Sequence, residues 1–338
     1  MDITPATRGS ARLWQHVEPW FSTIAVWTEK KAGGEDADPL VLYHRPSGTG
    51  LLAVFDGVGG SGRACAGRTP SGVERTQAWI ASRRVRGLVE EWFADESAGT
   101  SAAGLCAHLG ARLATGVVRR GRLRGSIQRD LPTTFAGLLF TVTGPEVGWD
   151  VLWAGDSRCY VAEPRRGLQQ LSNDDTEPGD ALALLLQDPP MTNMVSAGRE
   201  FVINRWRGRA ALPCVLVCAT DGFFGYVETP AEFEHLLWET LLTAQDSTHW
   251  SALLADRVES YTKDDASLCV AAIGFEDFDA LRASFRDRLE WLTSRHAEPM
   301  RQVVPGDRTA LVIARERSWR LYQAGYEARL PVPGGNDR

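Results

Sequence analysis

The apolar run Leu51–Val54 passes through Phe55 into Asp56, and four glycines (Gly57, Gly59, Gly60 and Gly62) fall in the next six positions. The run has the length of a strand. A strand that delivers a carboxylate into a glycine-rich turn places one charge where backbone can approach it closely. Such a turn suits a cation or a phosphate, and it equally suits a tight turn around a solvated Asp. The loop acquires meaning only from its partners elsewhere in the chain.

Three further segments repeat the arrangement. Cys214–Ala219 leads to Asp221 and Gly222, Val151–Ala154 leads to Gly155 and Asp156, and Asp264 and Asp265 precede the strand-like stretch Leu268–Ile273. One Asp at a strand end is an ordinary turn residue. Four of them predict carboxylates gathered at one end of a sheet. Oxygen-only ligand sets suit hard cations such as Mg²⁺ or Mn²⁺, and no HExxH pattern or histidine cluster offers zinc as an alternative.

The remaining chain reads as α+β. Strand composition marks residues 21–29, 40–44, 133–143 and 159–162, and the turn between the first two carries Glu35 and Asp36 side by side. Thr69-Pro70 followed by Ser71…Glu74 predicts a capped helix start, with Val85, Leu88, Val89 and Trp92 as its buried stripe to about residue 95. Further helices are predicted at 102–119, 181–186, from Thr229-Pro230 through Leu241, and at 248–261. From residue 276 the pattern turns helical, through the stripe Phe278, Leu281, Phe285, Leu289 and Leu292 and a second stretch at 307–329, before a frayed tail from Pro331. The expected organisation is a body over 1–275 and a helical C-terminal extension over 276–338, packed on the body or used for docking.

The 338 residues suffice for a large buried core, and a net charge of −6 argues against nucleic-acid binding. No apolar run approaches the roughly 18 residues of a membrane helix, so no membrane partner is expected. The first ten residues lack the pattern of a secretory signal. Six scattered cysteines (Cys65, Cys106, Cys159, Cys214, Cys218 and Cys269) form no CxxC pair, which suits free thiols in a reducing compartment. The expected location is cytoplasmic.

Val54–Gly60 (Val-Phe-Asp-Gly-Val-Gly-Gly) resembles the signature loop of the metal-dependent serine/threonine protein phosphatases of type 2C. Gly34-Glu-Asp36, Pro132-Thr-Thr134, Gly155-Asp-Ser-Arg158, the stretch Gly167–Thr176, Thr220-Asp-Gly222 and Asp264-Asp-Ala-Ser267 resemble its further motifs, in the family's order, over roughly residues 20–275. The resemblance implies a β-sandwich of two mostly antiparallel sheets flanked by helices. It implies two Mn²⁺ or Mg²⁺ ions, with Asp56 bridging them, the Gly57 carbonyl on one, and Asp221 and Asp264 completing the other. Glu35 and Asp36 would orient ion-bound waters. The implied substrate is a protein carrying phosphoserine or phosphothreonine, in a pathway with a cognate kinase.

The sequence departs from the family at accessory positions. Lys31 stands where a phosphate-binding Arg is usual, and it keeps the charge without the bidentate fork. Val58 replaces a residue that can act as an acid in many relatives. Gly225 replaces an Asp that helps bind a third ion, leaving Asp156 as that ion's ligand, so the third ion should be weak or absent. Ser157 and Arg158 could simply brace their turn, and residues 177–210 take the place of the family's variable flap. Two rival motifs are weaker. Gly57, Gly59 and Gly62 satisfy a dinucleotide GxGxxG, but Asp56 would repel a pyrophosphate and the next predicted helix starts late. Cys106–Arg112 fits a cysteine-phosphatase spacing inside a helical pattern. A different class of function, a catalytically weak regulatory or binding module, is disfavoured because Asp56, Asp221 and Asp264 are all kept.

Overall fold

The structure, a computed structural model, describes residues 6–8, 11–30, 33–68, 72–95, 101–115, 130–177, 179–186 and 190–331. Its strands are β1 (Ala6–Arg8), β2 (Ala11–Glu18), β3 (Phe21–Thr28), β4 (Leu40–His44), β5 (Thr49–Val54), β6 (Cys65–Arg68), β7 (Glu74–Thr76), β8 (Phe135–Thr143), β9 (Glu146–Ala154), β10 (Arg158–Glu163), β11 (Gly167–Gln170), β12 (Asn204–Ala211), β13 (Cys214–Ala219) and β14 (Ala266–Ile273). Its α-helices are α1 (Gly59–Gly62), α2 (Gln77–Ala94), α3 (Ala102–Thr115), α4 (Ala181–Leu186), α5 (Asp221–Phe224), α6 (Pro230–Thr243), α7 (Ser247–Tyr261), α8 (Phe278–Ser284), α9 (Arg286–Leu292), α10 (Glu298–Arg301) and α11 (Arg308–Tyr326).

Two antiparallel sheets face each other. One has the order β1-β2-β3-β14-β13-β10-β11 and the other β12-β9-β8-β5-β4, while β6 and β7 form a separate ribbon. Alternation along each strand produces four layers. In β5, Leu52 and Val54 point into the space between the sheets, where they meet Cys218, Cys269 and Leu216. Leu51 and Ala53 point outward and pack with Val85, Val89, Leu105 and Leu109 of α2 and α3. In β14, Leu268 and Val270 face Trp238, Trp250 and Leu254 of α6 and α7. The central strands are apolar on both faces because both faces are covered.

Several boundaries differ from expectation. α2 starts at Gln77, capped by Thr76, whose side chain accepts from the Trp79 N–H. Glu74 lies in the β6–β7 ribbon instead of a capping box, and 69–71 lie outside the described residues. The predicted helix over 102–119 is described to Thr115. A single helical turn, α1, begins at Gly59, earlier than any predicted helix. β12 begins within the stretch 177–210, where the only expected element is the helix over 181–186. It is a polar edge strand whose Arg205 and Arg207 both pair with Asp150 on β9 at 2.8 Å, and such charged edges conceal the period-two pattern. The stripe over 278–292 divides into α8 and α9 at Phe285, followed by a π-helical turn over Thr293–Ala297.

The C-terminal helices pack on the seven-stranded sheet's helical face. Tyr322 of α11 donates to Glu234 of α6 at 2.7 Å, and Arg329 reaches Gln169 of β11 at 2.7 Å. The tail from residue 332 lies outside the described residues. No helix among the described residues is long and apolar enough to cross a membrane.

Candidate active site

Asp56 follows β5 and is fixed through its backbone. Its carbonyl accepts from Thr133 Oγ1 and from the Thr134 N–H, both at 2.7 Å, and its N–H donates to Thr134 Oγ1 at 3.2 Å. Thr134 Oγ1 also shares a 2.7 Å hydrogen bond with Ser157 Oγ, which ties the Asp56 loop to the turn holding Asp156. Gly57 is required by space. A Cβ there would lie 2.7 Å from the carbonyl oxygens of both Glu35 and Ala78.

Asp36 enters from the loop after β3 and is 2% exposed. Its Oδ2 accepts from Thr220 Oγ1 at 2.9 Å, and its carboxyl is hydrogen-bonded to that of Asp56. Asp221, the first residue of α5, is the third member of the group. Burial, and then the nearby Asp36, Asp221 and Asp156, hold the Asp56 carboxyl well above the usual range. Burial and the charges of Asp156, Asp264 and Asp36 do the same to Asp221. Asp36 is pushed up to about 7, chiefly by burial. The charged groups acting most strongly on Asp56 and Asp221 are thus other carboxylates, a donor set that fits oxygen-seeking dications. Among the described residues no three of these side chains are drawn into ligand geometry around one point.

The loop carrying Glu35 is braced by a residue that sequence reasoning left as a neighbour of Asp264. Asp265 accepts from the Lys30 N–H at 2.8 Å and the Glu35 N–H at 2.6 Å, so it serves the loop backbone while Asp264 stays exposed beside Tyr226 Oη at 3.5 Å. Glu35 Oε1 accepts from Thr76 Oγ1 at 2.7 Å. Burial raises the Glu35 carboxyl, and Arg63 is the positive group acting against that rise. Arg83, whose guanidinium lies over Trp79 and reaches the Gly34 and Glu35 carbonyls at 3.3 and 3.4 Å, holds the same loop from α2. Lys31 lies outside the described residues. No local pattern marks Thr76, Arg83 or Asp265, because each acts across the fold.

Val58 donates its N–H to Pro132 and presents no titratable group. Arg158 is buried and forks onto Asp174, while Asp175 accepts from the Gly155 N–H at 3.0 Å and from Asn193 and Asn204. Ser157 and Arg158 therefore brace the Asp156 turn. The 177–210 stretch contributes two of the amides that hold Asp175. Gly225 caps α5, its N–H donating to the Asp221 carbonyl. Cys106 sits in α3, its thiol donating to the Phe201 carbonyl, so the Cys106–Arg112 spacing lies on a helix and not on a loop.

The family profile described as protein phosphatase 2C matches residues 32–259. Among solved structures, a bacterial serine phosphatase aligns over 76% of this chain and 98% of its own, at 18% identity and a TM-score of 0.50. The serine/threonine phosphatase Stp1 from Staphylococcus aureus aligns over 81% of this chain and 98% of its own, at 17% identity and a TM-score of 0.50. At these identities the likeness establishes the fold. No curated protein matches the sequence significantly. A helix-flanked double sheet with carboxylates gathered at its strand ends belongs among the metal-dependent phosphatases. The chain is a member of the protein phosphatase 2C family, the metal-dependent serine/threonine protein phosphatases.

Proposed function

We propose that Asp56, Asp221, Asp264 and the Gly57 carbonyl hold two Mn²⁺ or Mg²⁺ ions at this site, with Asp156 the remaining ligand of a weak third. The ions would supply positive charge for the phosphoryl oxygens and acidify a water for in-line attack on phosphorus. Asp36 and Glu35, anchored by Thr220 and Thr76, would orient water from behind the ligands, as outer-shell partners do. Lys31 would meet the phosphate as a point charge, and Arg63 adds a second cation on the Glu35 side. Val58 offers no proton to the leaving alkoxide, so either an ion-bound water would supply it or the site would favour esters with good leaving groups.

The observation that carries this reading is the mutual approach of Asp36, Asp56, Asp156, Asp221 and Asp264, contributed by five separate segments. The substrate class proposed is a phosphoserine or phosphothreonine protein opposed to a kinase. The unpaired thiols Cys159 and Cys218, 3.5 Å apart in the core, support a reducing, cytoplasmic setting.

The test is hydrolysis of a phosphothreonine peptide and of an aryl phosphate with and without Mn²⁺, in wild type and Asp56→Ala. Activity should require metal and should disappear in the variant while its circular dichroism stays native. Hydrolysis without metal, or hydrolysis surviving Asp56→Ala, would overturn the mechanism. Faster turnover of the aryl phosphate than of the peptide would favour the good-leaving-group alternative, and equal turnover the ion-bound water.

A further inference from the structure

A cavity of about 580 Å³ lies between α6 and α7 on one side and residues 296–311 on the other. That volume falls in the range of small-molecule sites. Its apolar wall includes Val227, Leu236, Met300, Val303 and Leu311. None of these belongs to the carboxylate cluster, and residues 296–311 lie beyond the family match at 32–259.

Two features of the wall point to a ligand. The first is His296, which lines the cavity and is 2% exposed. Its Nδ1 hydrogen-bonds Ser318 Oγ at 2.8 Å, while its buried Nε2 has no partner among the described residues. Buried polar atoms ordinarily find a partner, and a ligand group in the cavity would provide one. The ring edge packs against Trp291 and Tyr322, so the side chain is fixed in place. The second feature is the backbone. His296 and Ala297 belong to the π-helical turn Thr293–Ala297, a rare geometry that recurs at functional sites.

The charges on the rim choose the ligand's sign. Arg257, Arg301 and Arg308 line the cavity. Arg257 and Arg301 share the carboxylate of Glu239, at 2.7 and 3.8 Å, and both also face Glu232, so their charge is largely matched. Arg308 makes no ion pair among the described residues, and it opens the 19-residue helix α11, whose N-terminus adds partial positive charge. Each acidic lining group has a partner of its own, and Glu228 is neutralised by an arginine outside the cavity lining. Glu228 pairs with Arg315, Asp307 caps α11 by accepting from the Ala310 N–H, and Glu232 accepts from the Glu228 N–H.

We propose that this cavity binds a small organic anion with an apolar body, its anionic head at Arg308 and the α11 N-terminus and a polar group on His296 Nε2. The site stands one side chain from the catalytic loops. Tyr226 lines it and reaches Asp264, and Tyr261 lines it and donates to the Phe223 carbonyl in α5 at 2.6 Å.

10-Hydroxydecanoate, whose hydroxyl can meet His296 Nε2, and 8-anilinonaphthalene-1-sulfonate serve as probes, titrated into the full chain by calorimetry and fluorescence. Each should bind saturably at one site and compete with the other. Arg308→Glu, an exposed change, should weaken both at least tenfold, and Val303→Trp, which fills the cavity, should abolish both. Decylamine, with a chain of the same length and opposite charge, should not compete. Native circular dichroism and an unchanged Mn²⁺ isotherm in both variants would separate loss of this site from loss of the fold or of the metal centre. Absence of saturable binding, binding indifferent to Arg308→Glu and Val303→Trp, or equal competition by decylamine would overturn the proposal.

Discussion

The guanidinium of Arg158 meets the carboxylate of Asp174 through two hydrogen bonds of 2.9 and 2.6 Å, with side-chain exposures of 2% and 5%. Arg158 stands two residues after Asp156, and its charge lies 4.2 Å from the ring centroid of Phe224, which closes the helix opened by Asp221. One buried side chain thus joins two of the loops that carry site carboxylates. Asp174→Asn removes the partner charge and strands the guanidinium, a change that costs about 3–5 kcal/mol. Urea denaturation should show that loss, and Asp174→Asn with Arg158→Met should recover part of it. A change below about 1 kcal/mol for Asp174→Asn alone would show that water reaches the pair.

Gly59 and Gly60 are adjacent but face different constraints. A Cβ on Gly59 would lie 2.1 Å from Glu35 Oε2, whereas a Cβ on Gly60 meets nothing within 4 Å. Gly59→Ala must therefore displace the Glu35 carboxylate. Turnover or Mn²⁺ affinity should fall about 10–100-fold, as for other outer-shell losses, with little change in thermal midpoint. Gly60→Ala should match wild type in kinetics. Equal kinetics for the two variants would remove Glu35 from its assigned role.

Gly225 looks like a simple omission in the sequence, yet its surroundings have adapted. A Cβ there would lie 2.8 Å from the Asp221 carbonyl oxygen, to which the Gly225 N–H already donates. Restoring an Asp therefore disturbs the residue assigned to the second ion. Gly225→Asp and the steric control Gly225→Ala should both lower turnover at saturating Mn²⁺. If Gly225→Asp exceeds wild type while Gly225→Ala falls below it, a third ion limits the rate and the cost of crowding is minor.

The fold was legible where strands are buried on both faces, as with Leu51–Val54 and Leu268–Ile273, since their apolar runs leave few alternatives. It was obscure where pairing is polar. β12 carries three arginines at the sheet edge, and β6 and β7 consist of short polar segments beside the capping signal that misplaced the start of α2. The convergence of Asp56, Asp156 and Asp221 was readable because each follows an apolar strand into a glycine-containing turn. The braces were not. Asp265 acts on residues 30 and 35, and Thr76 on Glu35, through contacts more than 40 positions apart in the chain.

The C-terminal helices are proposed as part of the same folding unit. Glu234 is 0% exposed and accepts from Arg288, Trp238 and Tyr322, so two of its three partners come from beyond residue 275. A chain ended after Phe275 would leave that buried carboxylate without its arginine, held by Trp238 alone, and expose the faces of α6 now covered by Phe285 and Tyr322. It should elute as aggregate and lack a cooperative melt. A soluble, cooperatively folded 1–275 fragment would show that the extension is a separate attachment.

His296 makes stability depend on pH in a defined direction. Burial, then the nearby Arg288, lowers its pKa from 6.5 to about 4, with His235 adding to the fall and Glu234 opposing it. Below pH 6.5 the unfolded chain takes up a proton that the folded ring refuses. The contribution is therefore fully present above pH 6.5 and is lost as pH falls toward 4. At pH 5 the loss amounts to about 2 kcal/mol, taking roughly 1.4 kcal/mol per pH unit. Urea denaturation at pH 7.5 and pH 5.0 should show wild type losing that much more stability than His296→Gln. Equal losses would mean that the folded ring accepts its proton as readily as the unfolded one.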